Sequence, residues 1–182
     1  MKSGADYQID ELEQYDYFNA RDFSRVKKEY SEPIGRFLMD FSGLEHLLNL
    51  SIAEVLDAGR SHITGYIVIE RLKTRDKIEL FYRLCSPLLS SVKMRLRKKF
   101  KVIVNNLSEV NEFRNSLAHA NWLTMDSGGY VRTKVRTATE DGSVTFRRSK
   151  ITVRKIRQMR LEVESLAQKL PFLFDELTGG SS

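Results

Sequence analysis

Apolar residues recur at helical spacing through most of this chain, and that periodicity limits the folds open to it. Between Ile34 and Leu56 the positions Phe37, Phe41, Leu44, Leu48, Ile52 and Val55 form one stripe. Ile103, Leu107, Val110, Phe113 and Leu117 form a second, and Ile156, Met159, Val163, Leu166 and Leu170 a third. A three-to-four spacing marks amphipathic helices that bury one face. A shorter helix opens at Thr74-Arg75-Asp76-Lys77, with Thr74 as its cap, and runs through Ile78, Phe81, Leu84 and Cys85 to a break at Pro87. The patch Tyr66-Ile67-Val68-Ile69 suits either a strand or a buried helical turn.

The period changes after Trp122. Tyr130-Val131-Arg132-Thr133-Lys134-Val135-Arg136-Thr137 alternates β-branched and charged residues, and so does Ser143-Val144-Thr145-Phe146 beyond Asp141-Gly142. Alternation around an Asp-Gly pair predicts a hairpin, here within 129–152. Such a hairpin is marginal alone and should lean on the helices. Residues 7–30 suggest a short helix and a docking loop, Pro33 a first helical turn, Gly59 a helix end, and Pro171 a kink. The sum is an all-α antiparallel bundle of four to five helices, with a β-hairpin appended before the last helix. The 182 residues fit one domain with an acidic, aromatic N-terminal segment over 1–30 and a flexible tail over 178–182.

The net charge of +6 is unevenly spread. Asp6, Asp10, Glu11, Glu13, Asp16 and Asp22 make the start acidic. Lys93, Arg95, Arg97, Lys98, Lys99 and Lys101 crowd one short stretch, and a second basic cluster runs from Arg132 to Arg160. Clusters of this kind form an electrostatic footprint for nucleic acid; a solvated surface is the plainer reading. The likeliest rails for RNA phosphates are Arg132, Lys134, Arg136, Arg147 and Arg148 in the hairpin, with Lys98 and Lys99 on the helical segment. The lone Cys85 forms no internal disulfide, which points to a reducing cytoplasm. No apolar run approaches the ~20 residues of a membrane span, and no Cys/His cluster has zinc spacing. Neither a metal nor another cofactor is expected.

The residues that carry chemistry are Arg114, Asn115 and His119, at the end of the second stripe. Arginine is a fixed, always-charged fork for phosphate, and histidine exchanges protons near neutral pH. At about 100° per residue, Arg114 lies on the edge of the apolar face and His119 sits about 140° further round. Asn115 and His119, four apart, share a face. Bringing all three together requires Arg114 to reach around, the helix to fray, or a second subunit to supply one half. The plain structural alternative is a core-edge Arg114 paired to an acid such as Glu45, with His119 merely ending the helix. Trp122 suits packing against the hairpin or stacking on a base.

The phrase Arg114-Asn115-Ser116-Leu117-Ala118-His119 resembles the Arg-Asn-x-x-Ala-His form of the HEPN domains, helical nuclease and nucleotide-binding modules of defence and toxin systems. Where that family often has a glycine, this chain has Ala120-Asn121-Trp122. The resemblance implies a cytoplasmic, homodimeric, metal-independent endoribonuclease of a defence, toxin or RNA-processing system, leaving a 2′,3′-cyclic phosphate. It implies His119 as general acid or base, Arg114 on the scissile phosphate, and Asn115 either orienting the histidine or binding a phosphate oxygen. It also leaves room for an antitoxin or nucleotidyltransferase partner. A rival reading is a non-catalytic module of the same kind that binds RNA, a nucleotide or a protein. A third is a structural bundle whose basic surface docks an acidic protein.

Overall fold

Three apolar stripes become three long helices. The computed structural model describes residues 4–8, 20–57, 63–125, 128–137, 142 and 144–179, with the side chains of 4–8, 20, 22, 124 and 136 left aside. In chain order the elements are β1 (Gly4–Gln8), α1 (Ala20–Asp57), α2 (Ile63–Ile69), α3 (Thr74–Cys85), α4 (Met94–Ala118), β2 (Tyr130–Thr137), β3 (Val144–Lys150) and α5 (Val153–Thr178). This is the expected mostly helical fold, with five α-helices among the described residues and an antiparallel hairpin before the last. The chain divides into two compact units, Met1–Phe37 with Phe113–Gln158 and Leu38–Glu112 with Met159–Ser182.

In the first unit, β1, β3 and β2 form an antiparallel sheet in that order. The expected hairpin is therefore one part of a three-stranded sheet: Tyr7 pairs with Phe146 and Asp6 with Arg147 along the far edge of β3. A third strand supplies what an isolated hairpin lacks. At the hairpin base the Ile151 N–H donates to the Gly129 carbonyl at 2.8 Å. Gly129 has φ +81°, and an added Cβ would sit 3.4 Å from the Ile151 carbonyl and the Tyr30 hydroxyl, so glycine suits both backbone and space. The core of this unit includes Val26, Tyr30, Phe37, Phe113, Leu117, Val131 and Ile156, all buried. Phe37 and Phe113 meet edge to face at 5.3 Å, a favoured aromatic geometry.

The second unit is helical. Phe41, Leu44, Leu48 and Ile52 from α1 are buried there, as are Ile103, Leu107 and Val110 from α4 and Val163, Leu166 and Leu170 from α5. Phe81 and Phe100 pack at 5.8 Å. Tyr66-Ile67-Val68-Ile69 is helical, not extended: α2 sits so close to α1 that a Cβ on Gly65 would lie 2.4 Å from the Ala53 Cα. The Gly65 N–H donates to the Asp57 carboxylate at 3.0 Å. Glu45 accepts from the Thr74 hydroxyl at 2.9 Å and from the buried Lys77 ammonium at 3.1 Å. Arg160 pairs with Asp40 and, at 2.7 Å, with Glu164. Burial pushes the Cys85 thiol up to about 12, as expected for a small core residue.

Several local expectations fail for physical reasons. Helix α1 does not begin at Pro33 but passes through it from Ala20. Pro33 is buried in line with Val26, Tyr30, Phe37 and Phe41. Burial of that stripe offsets the one backbone hydrogen bond a proline forfeits. Helix α5, by contrast, runs to Thr178 as expected, with buried Leu170, Leu173 and Phe174 beside its internal Pro171. Thr74 is not a cap: Lys73 holds that position without a side-chain bond, and the Thr74 hydroxyl turns to Glu45. Gly59, His62, Asp141 and residues 180–182 lie outside the described residues.

Candidate functional site

The arrangement begins at the end of α4. Buried Leu117 anchors the last turn, leaving Arg114, Asn115 and Ser116 half-buried and His119 exposed. The His119 N–H still donates to the Asn115 carbonyl at 3.0 Å, so the helical path holds as far as His119. Then the Ala120 N–H turns to the Leu117 carbonyl at 3.4 Å, and the helix is over. The Trp122 Nε1–H donates to the same Leu117 carbonyl at 3.2 Å. That indole bond adds a second donor to a carbonyl of the helix's last turn.

Asn121 then ties the segment to the sheet. Its backbone N–H donates to the Arg132 carbonyl at 2.8 Å, and its Oδ1 accepts from the Leu123 N–H at 3.1 Å. The second bond caps the short 3-10 turn Trp122–Thr124. Because β2 is the outer strand of the sheet, this bridge lies on the edge away from β3. Beyond it opens a cleft of about 410 Å³ lined by His119, Asn121, Arg132, Thr133, Lys134, Val135 and Phe146. The register of β2 on β3 slips between Arg132 and Lys134. At this bulge the Thr133 hydroxyl donates to the Arg147 carbonyl at 3.1 Å and meets the Ser149 hydroxyl at 3.2 Å. A bulge re-aims the side chains beside it, and here both cations reach the cleft. The Arg132 guanidinium lies 5.1 Å from the Phe146 ring centroid, which fixes it as a cation over an aromatic face.

Of the predicted catalytic residues, the structure joins Arg114 to Asn115 and sets His119 on the wall of a cleft that neither of them lines. The Arg114 guanidinium donates to the Asn115 side-chain oxygen at 3.0 Å. Asn115 follows Arg114 by about 100° around the helix and lies only about 40° short of His119. The helix thus places Asn115, and not Arg114, on the His119 side, and the cleft itself is walled by His119, Arg132 and Lys134 without Arg114. Glu45, offered as a partner for Arg114, is occupied by Thr74 and Lys77.

Among the other rail residues, Arg148 lies 4.8 Å and Lys150 5.4 Å from the Tyr130 ring centroid. Arg147 is half-buried, opposite Lys134 and Asp6 on its two neighbouring strands. Arg136 belongs to β2, but its side chain lies outside the described residues. Lys98 is exposed on α4, and Lys99 pairs with Glu176 at 2.9 Å. Both belong to the second unit, where Lys93, Arg95 and Lys99 line a separate cleft of about 600 Å³. Nearby Arg97 donates to the Ser90 and Val92 carbonyls, so it holds its loop and is not a rail. Trp122 packs on Tyr30, 5.6 Å between centroids, where the hairpin was the expected neighbour. His46 is exposed on α1.

Sequence reasoning missed Asn121, whose backbone bond to a strand eleven residues on has no sequence signal. No group of three or more potential metal ligands occurs among the described residues. No described helix is long and apolar enough to cross a membrane. No protein-family model, no curated protein and no solved structure matches the chain.

Proposed function

We propose that the chain is a metal-independent endoribonuclease of the HEPN kind, acting in a defence, toxin or RNA-processing system. One observation carries the reading: His119 stands exposed on the wall of a cleft whose other charged residues are Arg132 and Lys134. A phosphodiester held by the two cations lies beside a group that moves protons near neutral pH.

In the proposed reaction the ribose 2′-oxygen attacks phosphorus and the bond to the 5′-oxygen breaks. The products are a 2′,3′-cyclic phosphate and a 5′-hydroxyl. His119 either takes the 2′-hydroxyl proton or gives a proton to the departing 5′-oxygen, water exchanging the other proton, a role typically worth ~10²–10⁴-fold. The resemblance gives Arg114, held at Asn115 outside the cleft wall, the task of offsetting charge on the phosphoryl oxygens once RNA is bound. Two copies of the chain would place two such helix ends about one axis, and an isologous homodimer is part of this proposal. So is a cytoplasmic location with an antitoxin or nucleotidyltransferase as partner.

The test is labelled RNA incubated with the protein and a chelator. Cleavage by the wild type, lost in His119→Ala at unchanged melting temperature, supports the reading; equal cleavage by both removes it. One observation favours the rival, a non-catalytic RNA-binding module: Arg114 is engaged with Asn115 and does not wall the cleft. Under the rival the wild type binds RNA and yields no product.

A further inference from the structure

Next to the His119 cleft the first unit has a second hollow of opposite character. It holds about 360 Å³, and its walls are Phe23, Val26, Tyr30 and Ile34 from α1 with Trp122 and Leu123. The two hollows share one short segment: His119 and Asn121 line the basic cleft, and Trp122 and Leu123 line the apolar groove. We infer that this groove receives a nucleobase of the RNA strand whose phosphate occupies the cleft beside it. The inference rests on the reading above and adds a base subsite to it.

A nucleotide joins an anion to a flat, largely apolar heterocycle a few ångströms away. The shared segment presents the matching pair in the same order. The Trp122 indole is preorganised, because its N–H is held by the Leu117 carbonyl and its ring lies tilted 49° against Tyr30. Its remaining surface is left for stacking. Stacking needs no base-specific hydrogen bonds, so the site tolerates any sequence. Charge separates an RNA strand from a second copy of this chain as the occupant. Lys27, one of the two polar residues of the lining, makes no ion pair among the described residues. With Arg132 and Lys134 on the adjoining cleft, it favours a polyanion over another basic surface.

Trp122 is the only tryptophan in the chain, so its fluorescence reports on this groove alone. A 2′-O-methyl RNA oligomer, which lacks the attacking hydroxyl and is not cut, is titrated into the wild-type protein. Anisotropy of a label on the oligomer reads binding independently. The inference predicts that Trp122 emission changes at saturation with the base-bearing oligomer. An abasic ribose-phosphate oligomer of the same length, bound at low salt, leaves it unchanged. Trp122→Ala should weaken binding of the base-bearing oligomer by about tenfold and the abasic one hardly at all. Leu123, 65% exposed, can change without unfolding the chain, so Leu123→Gln gives a smaller loss of the same pattern with the reporter intact.

Binding by anisotropy with no change at Trp122, or an equal change with the abasic oligomer, overturns the base subsite and leaves RNA binding standing. Emission that depends on protein concentration alone assigns the groove to a second copy and also overturns it. No binding of either oligomer removes the proposed function as well.

Discussion

Two cation-lined clefts, one in each unit, differ in what holds their charges. Around the start of α4, Lys93 just before the helix and Arg95 and Lys99 within it line one cleft, and Lys99 is already matched by Glu176. Positive side chains there also oppose the helix dipole. On β2, Arg132 and Lys134 flank a bulge, one guanidinium lies over a phenylalanine ring, and a backbone hydrogen bond ties Arg132 to the segment bearing His119. The first cleft offers charge, while the second offers charge at a fixed place beside an exposed imidazole. Counting lysines and arginines along the chain does not separate them.

The comparison is broken most severely by His119→Ala. We expect RNA cleavage to fall by ~10²–10⁴-fold, with the helical circular dichroism signal and melting temperature retained because the side chain is exposed. Removing charge comes next. Arg132→Ala with Lys134→Ala should weaken RNA binding and lower the slope of log affinity against log salt by about one per residue. Lys98→Ala with Lys99→Ala should do less, since Lys99 is ion-paired. Equal losses from the two pairs would erase the distinction drawn here.

Smaller effects sharpen it. Gly65→Ala, which drives a methyl into the Ala53 backbone, should cost about 1–3 kcal/mol of stability in denaturant melts without changing cleavage at temperatures where the protein is folded. Asn121→Ala removes the cap on Leu123 and should cost about 1 kcal/mol, yet it should slow cleavage because the His119 segment loosens. A pH effect in the second unit is silent at neutral pH. The Cys85 thiol rises from 9.0 to about 12 on burial. Its neutral form is thus favoured in the fold, and its contribution is intact below pH 9 and declines as pH rises toward 12. Cys85→Ala should flatten that alkaline loss in melting curves.

Most of the fold was legible because burial repeats. All five members of the Ile103–Leu117 stripe and of the Ile156–Leu170 stripe are buried. In the first stripe Pro33 has the sequence signature of a helix start, yet it sits within an apolar face that begins further back, at Val26 and Tyr30. The third strand escaped notice because Gly4–Gln8 gains its partner almost 140 residues away in β3. At the candidate site the local residues Arg114, Asn115 and His119 were readable from spacing alone. Their reach was not: an arginine side chain turning to its neighbour, and an asparagine backbone joining a strand edge, depend on packing that no spacing encodes.

The central claim is that the imidazole at the end of α4 cuts RNA held by the neighbouring strand. Its most direct measurement is a chelator-treated cleavage assay with wild type and His119→Ala side by side, reading both product ends and RNA affinity. The account predicts 2′,3′-cyclic phosphate and 5′-hydroxyl ends from the wild type, and from the variant undiminished binding with almost no product. Equal cleavage by the two proteins, or none by either, would contradict it.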